Sequence, residues 1–149
     1  MKIVLQVVSK ASVEIDKKVI AQIDKGYLLL VSFTEGDTFE LCDKMINKIL
    51  KLRVFLDENG KTNLSLADVN GAILSVSQFT LYASLNKGNR PSYVNCMHPD
   101  EATKLYDYFN KKLKETSYFI QTGEFGADMK VSLINDGPYT LVLDSKELF

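Results

Sequence analysis

The sequence lacks most of the residue patterns by which catalytic and metal-binding sites are recognised. Its 149 residues include one histidine, His98, and two cysteines, Cys42 and Cys96. No H-E-x-x-H, C-x-x-C or clustered D-x-D pattern occurs, so the sequence predicts neither a metal site nor a cofactor. One histidine cannot build a Ser-His-Asp site without partners, and we interpret His98, which precedes Pro99, as a surface residue at the start of a helix.

Long apolar runs and glycine-rich phosphate loops are missing as well. No apolar stretch approaches the ~18 residues of a membrane-spanning helix, and the apolar run that follows Met1 is too short for a signal peptide. No glycine-rich loop follows the first predicted strand, which argues against nucleotide binding of the P-loop or Rossmann kind. We therefore predict a cytoplasmic protein with no membrane partner and with both cysteines as free thiols.

Neither sign of charge is in large excess. The chain has 18 basic and 19 acidic residues, a formal net charge of −1, which argues against a protein that coats nucleic acid through bulk charge. A small basic loop remains at residues 87–90, where Lys87 and Arg90 flank Gly88 and Asn89. These two cationic side chains are either solvated surface or contacts to the phosphates of an RNA end.

Apolar patterns predict one mixed α/β domain over residues 1–149, rich in strands and with two main helices on one side. One helix begins after Asp37 or Thr38 as its N-cap, and the other begins at Pro99. Residues 61–70 are polar and are predicted to be irregular. Strand patterns lie at residues 2–8, 11–16, 19–23, 27–33, 53–56, 71–77, 118–121, 129–134 and 139–144.

Small polar residues lie at the end of the apolar strand at residues 71–77 and just beyond it. Ser77, Gln78 and Thr80 mark either a strand end that faces water or a point where the chain leaves the strand with free backbone N–H groups. Such donors polarise a carbonyl, as in an oxyanion hole, and one donor is typically worth about 2.7–4 kcal/mol. No basic partner is evident for the hydroxyl of Ser77 or Thr80. We therefore expect charge stabilisation and water positioning rather than nucleophilic attack.

A Gly-Pro pair, Gly137 and Pro138, interrupts the last two predicted strands. Proline has no backbone N–H to donate within a central strand, and glycine lets another molecule approach bare backbone. The pair is either an ordinary turn or, if the peptide is cis, a rigid wall of two parallel carbonyls. Such a wall would exclude a substituent from one direction whatever its identity, which suits discrimination by chirality.

These segments resemble the D-aminoacyl-tRNA deacylase family over nearly the whole chain. The two most specific motifs are Ser-Gln-Phe-Thr-Leu at residues 77–81 and Asn-Asp-Gly-Pro-Tyr-Thr at residues 135–140, and supporting segments lie at residues 60–65, 87–92 and 123–129. The resemblance implies a homodimer of three-layer α/β/β domains that hydrolyses the ester between a D-amino acid and the terminal adenosine of tRNA. It also implies activity on glycyl-tRNA, including glycine mischarged on tRNA-Ala, because glycine has no side chain to reject.

The resemblance further implies roles for particular residues. The catalytic segment supplies backbone donors to the ester carbonyl, while the substrate's ribose 2′-hydroxyl assists; it consists of Ser77, Gln78, Phe79 and Thr80. A second group contacts the substrate, with the Gly-Pro peptide cis and reaching across the dimer; it consists of Gly137, Pro138 and Met129. The implied tRNA contacts are Lys87 and Arg90.

Three positions differ from the usual family pattern. Val7 stands where arginine is usual, Thr62 where methionine is usual, and Tyr139 where valine is usual. Gly-Pro-Tyr-Thr also occurs in a related group of editing deacylases, in which the Gly-Pro peptide is trans. Two other functions therefore stay open: an editing deacylase for a small L-amino acid such as alanine, and a non-enzymatic module that binds an RNA end or a protein.

Overall fold

The computed structural model describes residues 1–149 and contains eight strands, three α-helices and one short 3-10 helix. In chain order the elements are β1 (Lys2–Ile15), β2 (Lys18–Ile23), β3 (Gly26–Ser32), α1 (Phe39–Lys51), β4 (Arg53–Leu56), β5 (Thr62–Ser65), β6 (Ala72–Ser77), the 3-10 helix (Phe79–Tyr82), α2 (Pro99–Lys114), β7 (Ile120–Thr122), β8 (Lys130–Asp144) and α3 (Ser145–Leu148).

The main sheet has the strand order β2-β1-β3-β6-β7, and β8 pairs with β1. The pairs β3–β6 and β6–β7 are parallel, whereas β1 is antiparallel to β2, β3 and β8. The long strand β1 pairs with two strands at different points along its length. Its residues 2–8 pair with β3, and its residues 11–15 pair with β2. A separate antiparallel pair consists of β4 and β5.

Two apolar cores lie on opposite faces of β3. Tyr27, Leu29 and Val31 belong to a cluster shared with α1 and α2, whereas Leu28 belongs to a second cluster shared with β1, β2 and β6. Alternate residues of a strand point to opposite faces, so a strand that is buried on both faces joins two layers. The molecule therefore consists of a helical layer and two strand layers, and the predicted three-layer α/β/β architecture is confirmed.

The two main helices begin where the sequence predicts. The Thr38 hydroxyl accepts a hydrogen bond from the Leu41 N–H at 3.2 Å, which makes Thr38 rather than Asp37 the N-cap of α1. Pro99 is the first residue of α2, a position where its missing N–H costs nothing. His98 is the exposed N-cap of α2, as predicted. No helix is both long enough and apolar enough to cross a membrane.

Several predicted boundaries are wrong. The strand patterns at residues 2–8 and 11–16 form one strand, β1, because Lys10 continues the pairing opposite Ile134. The polar stretch at residues 61–70 contains β5, which pairs with β4. The two strands predicted around Gly137 are one strand, β8, interrupted by a bulge. The 3-10 helix and α3 were not predicted.

Candidate functional site

A cavity of about 310 Å³ opens where β6 ends. We call it the site cavity. Two segments line it, residues 76–79 at the end of β6 and residues 125–129 after β7, together with Val131 of β8. Since β6 and β7 are parallel, both segments follow the carboxyl ends of their strands, where open α/β sheets leave a crevice for ligands. The cavity therefore brings together four predicted site residues: Ser77, Gln78, Phe79 and Met129.

The backbone turn after β6 leaves fewer free donors than the sequence predicts. The N–H of Gln78 donates to the Val31 carbonyl at 2.7 Å, so this donor is not available to a ligand. The Gln78 carbonyl in turn accepts from the Leu81 N–H at 3.3 Å, which starts the 3-10 helix. The N–H groups of Phe79 and Thr80 open that helix, and no carbonyl of the helix precedes them. The donors that remain in this segment are those of Phe79 and Thr80.

The position of Phe79 is held from two distant parts of the chain. Its carbonyl accepts from the Ser32 hydroxyl at 3.2 Å and from the Cys96 thiol at 3.3 Å. Its ring lies edge-on to Tyr93, with centroids 5.1 Å apart. Sequence reasoning missed Ser32, Cys96 and Tyr93 as supports of the site, because nothing local in the sequence connects them to residue 79.

The Thr80 hydroxyl has no basic side chain as its hydrogen-bond partner. The Thr80 hydroxyl accepts from the side-chain amide of Gln78 at 2.6 Å, and an amide cannot remove a proton from it. Burial raises the pKa of the Cys42 thiol to about 12 and also raises that of Cys96, so neither thiol is an activated nucleophile near neutral pH. The segment therefore offers two free backbone N–H donors, and neither the Thr80 hydroxyl nor the two thiols are activated as nucleophiles.

The far wall of the site cavity depends on a glycine. A Cβ on Gly123 would lie 2.6 Å from the sulfur of Met129, so the absent side chain leaves room for Met129 to line the cavity. Phe125 lines the cavity as well, and its ring lies 5.8 Å from that of Tyr106. The sequence motif at residues 123–129 contains Phe125, but the predicted site residues do not include it.

The Gly-Pro pair lies in an exposed loop that protrudes from β8. Val8 pairs with Asn135 and Gln6 pairs with Thr140, so residues 136–139 have no partner on β1. The peptide bond between Gly137 and Pro138 is cis, as the resemblance implied. We call residues 136–139 the Gly-Pro loop.

Asn135 closes the Gly-Pro loop at its base. Its side-chain oxygen accepts from the Tyr139 N–H at 2.9 Å, and its side-chain nitrogen donates to the Thr140 hydroxyl at 2.8 Å. A Cβ on Gly137, whose φ is +140°, would lie 2.9 Å from the Tyr139 nitrogen. The loop conformation therefore needs glycine for its own geometry.

The Gly-Pro loop does not line the site cavity of its own chain. Gly137 lies seven positions along β8 from Lys130, which is at the cavity end of the strand, and seven extended steps span roughly 23 Å. Gly137 and Pro138 are accordingly absent from the residues that line the cavity. Of the three predicted substrate contacts, Met129 therefore lines the site cavity, whereas Gly137 and Pro138 do not.

The predicted tRNA contacts also lie outside the site cavity. Lys87 and Arg90 are exposed at the tip of an excursion that is closed at its base by two hydrogen bonds between Ser84 and Ser92, at 2.8 and 2.9 Å. Neither cationic side chain forms an ion pair with a carboxylate of the chain. Both remain available to an anionic partner.

We predict that Asn135→Ala loosens the Gly-Pro loop without unfolding the sheet. The variant removes the acceptor of the Tyr139 N–H, and one such hydrogen bond contributes about 1 kcal/mol. Amide hydrogen exchange at Tyr139 should accelerate about fivefold, while exchange in β1 and β3 stays unchanged. Asn135→Asp keeps an acceptor oxygen and serves as the control, with exchange at Tyr139 close to that of the parent. Equal protection of the Tyr139 amide in both variants would contradict this role of the Asn135 side chain.

Comparison with known proteins identifies the family. The family model described as D-Tyr-tRNA(Tyr) deacylase matches residues 4–144. D-aminoacyl-tRNA deacylases of Lactobacillus gasseri and Lactobacillus acidophilus are each 56% identical to the chain over 144 residues, which cover 97% of this chain and 99% of each relative.

Solved structures share the fold. The c-Myc DNA Unwinding Element Binding Protein is 40% identical, with a TM-score of 0.90 over 97% of this chain and 98% of its own. A structure described as a probable eukaryotic D-amino acid tRNA deacylase has a TM-score of 0.83 over 95% of this chain and 97% of its own; at 16% identity, it supports the fold alone. The family match, the two Lactobacillus relatives and the two motifs at residues 77–81 and 135–140 agree, and the chain belongs to the D-aminoacyl-tRNA deacylase family of ester hydrolases.

Proposed function

We propose that the protein hydrolyses the ester that joins a D-amino acid to the terminal adenosine of tRNA, and so removes wrongly charged amino acids in the cytoplasm. The observation that carries the proposal is the turn after β6, where the N–H groups of Phe79 and Thr80 have no partner in the chain. Phe79 lines the site cavity, Thr80 follows it, and the structure shows no cluster of side chains that could hold a metal ion. Water can attack an ester once its carbonyl is polarised by hydrogen-bond donors. A site whose free groups are backbone N–H donors therefore suits ester hydrolysis better than a reaction that needs a nucleophile from the protein.

The ester carbonyl oxygen accepts hydrogen bonds from the N–H groups of Phe79 and Thr80. Water adds to the carbonyl carbon, the negative charge that develops on the oxygen is stabilised by these donors, and the bond to the ribose oxygen then breaks. The products are the free amino acid and tRNA with its hydroxyl restored. The ribose 2′-hydroxyl next to the ester assists proton transfer, which accounts for the absence of a protein base beside Thr80.

The Gly-Pro loop of a second subunit forms the wall that reads chirality. The chain's own loop lies roughly 23 Å along β8 from the cavity, and Asp136, Gly137 and Pro138 are exposed. A homodimer that inserts each loop into the partner's site cavity brings Gly137 and Pro138 next to Met129. The wall consists of backbone, so it blocks an L side chain of any kind and leaves a D side chain, or the hydrogen of glycine, free.

The basic excursion contacts the RNA. Lys87 and Arg90 are exposed and unpaired at its tip, and the excursion begins directly after the 3-10 helix of the site. Contacts from these cations to phosphates would hold the acceptor end in register without reading its sequence. Glycine mischarged on tRNA-Ala fits the same site, because the wall has no side chain to reject.

Two other functions each have one observation in their favour. Tyr139 follows the Gly-Pro pair, as in the related deacylases that edit a small L-amino acid. The 40% identical relative is described as a DNA unwinding element binding protein, which favours a module that binds nucleic acid without hydrolysis. Hydrolysis rates on D-aminoacyl-, L-aminoacyl- and glycyl-tRNA distinguish both alternatives from the proposed function.

We predict that the purified protein hydrolyses a D-aminoacyl-tRNA and glycyl-tRNA at least about 100-fold faster than the matching L-aminoacyl-tRNA, a ratio that corresponds to about 2.7 kcal/mol in the transition state. Release of labelled amino acid from the three esters measures the rates. Faster release of the L-ester would establish the editing alternative. Binding of all three tRNAs with no release would establish the non-enzymatic one.

We predict that Phe79→Pro abolishes most of the activity by removing one backbone donor. Proline is tolerated at the first position of a helix and lacks only the N–H there. Loss of one oxyanion donor should lower kcat about 100- to 1,000-fold. Phe79→Ala, which loses the ring but keeps the N–H, is the first control.

Thr80→Ala is the second control for the same experiment. It keeps the N–H and loses only the hydroxyl, so its kcat should stay within about tenfold of the parent, a change of about 1.4 kcal/mol or less. A collapse of kcat in Thr80→Ala with the fold intact by circular dichroism would make the hydroxyl catalytic and would contradict the backbone mechanism.

We predict complementation between two inactive variants if the Gly-Pro loop acts across the dimer. Gly137→Ala is expected to disturb the loop, because the new Cβ would lie 2.9 Å from the Tyr139 nitrogen. In a heterodimer of Gly137→Ala with Phe79→Pro, one site carries both lesions and the other carries neither. Tagged and purified heterodimers should recover about half of the parent activity; no recovery would show that each chain completes its own site.

A further inference from the structure

We propose that a groove between α2 and the loop after β7 binds the nucleotides that immediately precede the terminal adenosine of the tRNA. This inference rests on the proposed function and extends it to the rest of the same substrate. The groove has a volume of about 700 Å³, more than twice the 310 Å³ of the site cavity. We call it the α2–β7 groove; one wall is formed by Tyr106, Asn110, Lys111 and Lys114 of α2, and the other by residues 122–125.

The groove adjoins the site cavity at Phe125. Phe125 lines both spaces, and Gly123 lies in the groove while the Met129 side chain that packs against it lies in the cavity. A strand whose last nucleoside occupies the site cavity therefore leaves it past Phe125. The groove is the adjoining space with room for a polymer, and its open side faces solvent.

Two free cations stand at the far end of the groove. Lys111 and Lys114 are exposed and form no ion pair, whereas Lys112, on the neighbouring face of the helix, pairs with Glu115 at 2.8 Å. Lys114 lies eight positions after Tyr106 on α2, a rise of about 12 Å. That length lets the two ammonium groups reach phosphates more than one nucleotide away from the site cavity.

The end of the groove near Phe125 has a different character. Glu124 precedes Phe125 and Asp107 follows Tyr106, and both carboxylates line the groove. They would repel phosphates but accept hydrogen bonds from base amino groups and ribose hydroxyls. A third lining carboxylate, Glu115, lies at the lysine end of the groove but is paired with Lys112 at 2.8 Å. The unpaired carboxylates therefore lie near Phe125 and the unpaired lysines at the other end, an order that fits a nucleotide chain whose bases and sugars lie near Phe125 and whose phosphates lie near the lysines.

Cationic residues at the end of a helix need a control, because they also interact favourably with the helix dipole. The last turn of α1 supplies it: Lys48 and Lys51 are exposed, unpaired and equally close to a helix C-terminus. They line a separate groove that shares no residue with the α2–β7 groove. Lys48→Gln/Lys51→Gln therefore repeats the change in charge and in helix-end electrostatics without touching the α2–β7 groove.

The test compares two substrates that share the reacting ester. One is D-aminoacyl-tRNA, and the other is the D-aminoacyl ester of adenosine, which lacks all preceding nucleotides. In single-stranded RNA each phosphate contact contributes a salt slope of about 0.7, or about fivefold in affinity near ~0.1 M salt. Lys111→Gln/Lys114→Gln should therefore raise KM for the tRNA substrate between about fivefold and 25-fold, lower the salt slope by about 1.4, and leave kcat unchanged.

The same variant should hydrolyse the adenosine ester with the kcat and KM of the parent, and the α1 control should match the parent on both substrates. Direct binding of a short RNA with the 3′ sequence of tRNA should weaken only in the groove variant. An unchanged tRNA KM, or an equal loss on both substrates, would overturn the groove as an RNA site. A parent protein that hydrolyses neither D-ester would instead refute the proposed function, so the two failures are distinguishable.

Discussion

The parallel pairing of β3, β6 and β7 is the constraint on which the rest of the structure depends. Gly26 opens β3 directly opposite Ala72, and a Cβ there would lie 1.9 Å from the Ala72 carbonyl oxygen. This close approach requires glycine, and it fixes the register that runs from Gly26 to the pair formed by Val31 and Ser77. The register decides which residue leaves the sheet first. Gln78 therefore still donates to Val31, and the free donors begin at Phe79.

The same pairing connects the helical layer to the site. The Ser75 carbonyl accepts from the Tyr106 hydroxyl at 2.8 Å and from the Gly123 N–H at 2.9 Å. One buried carbonyl of β6 therefore fixes both α2 and the start of the loop that carries Phe125 and Met129. Because Tyr106 and Gly123 also line the α2–β7 groove, the distance between the site cavity and the groove is set by a single strand.

Local patterns predicted a strand-rich mixed α/β domain with two main helices on one side, because caps and apolar periodicity act over a few residues. The three-layer architecture was implied by the family resemblance. Local patterns failed where long-range pairing overrides local polarity. Lys10 looks like a break but pairs with Ile134, and the N–H of Gln78 is taken by Val31, 47 positions earlier. The carbonyl of Phe79 is held by Ser32 and Cys96, whose proximity only the fold creates. The sequence thus predicts free backbone donors in residues 77–80, but only the fold shows that they are the N–H groups of Phe79 and Thr80.

The proposed mechanism, in which backbone N–H groups act as the donors, has a consequence for how the site tolerates substitution. Side-chain changes in the cavity would alter packing and affinity, whereas the proposed donors persist with every residue except proline. Likewise, a wall made of the Gly-Pro loop needs no particular side chain in the substrate, only an absence of one on the blocked side. Such a wall must approach the substrate closely, and Asn135 and Tyr139 hold it in an exposed loop that its own cavity cannot use. The separation of the donors and the loop along β8 is therefore the physical reason to expect two chains at each complete site.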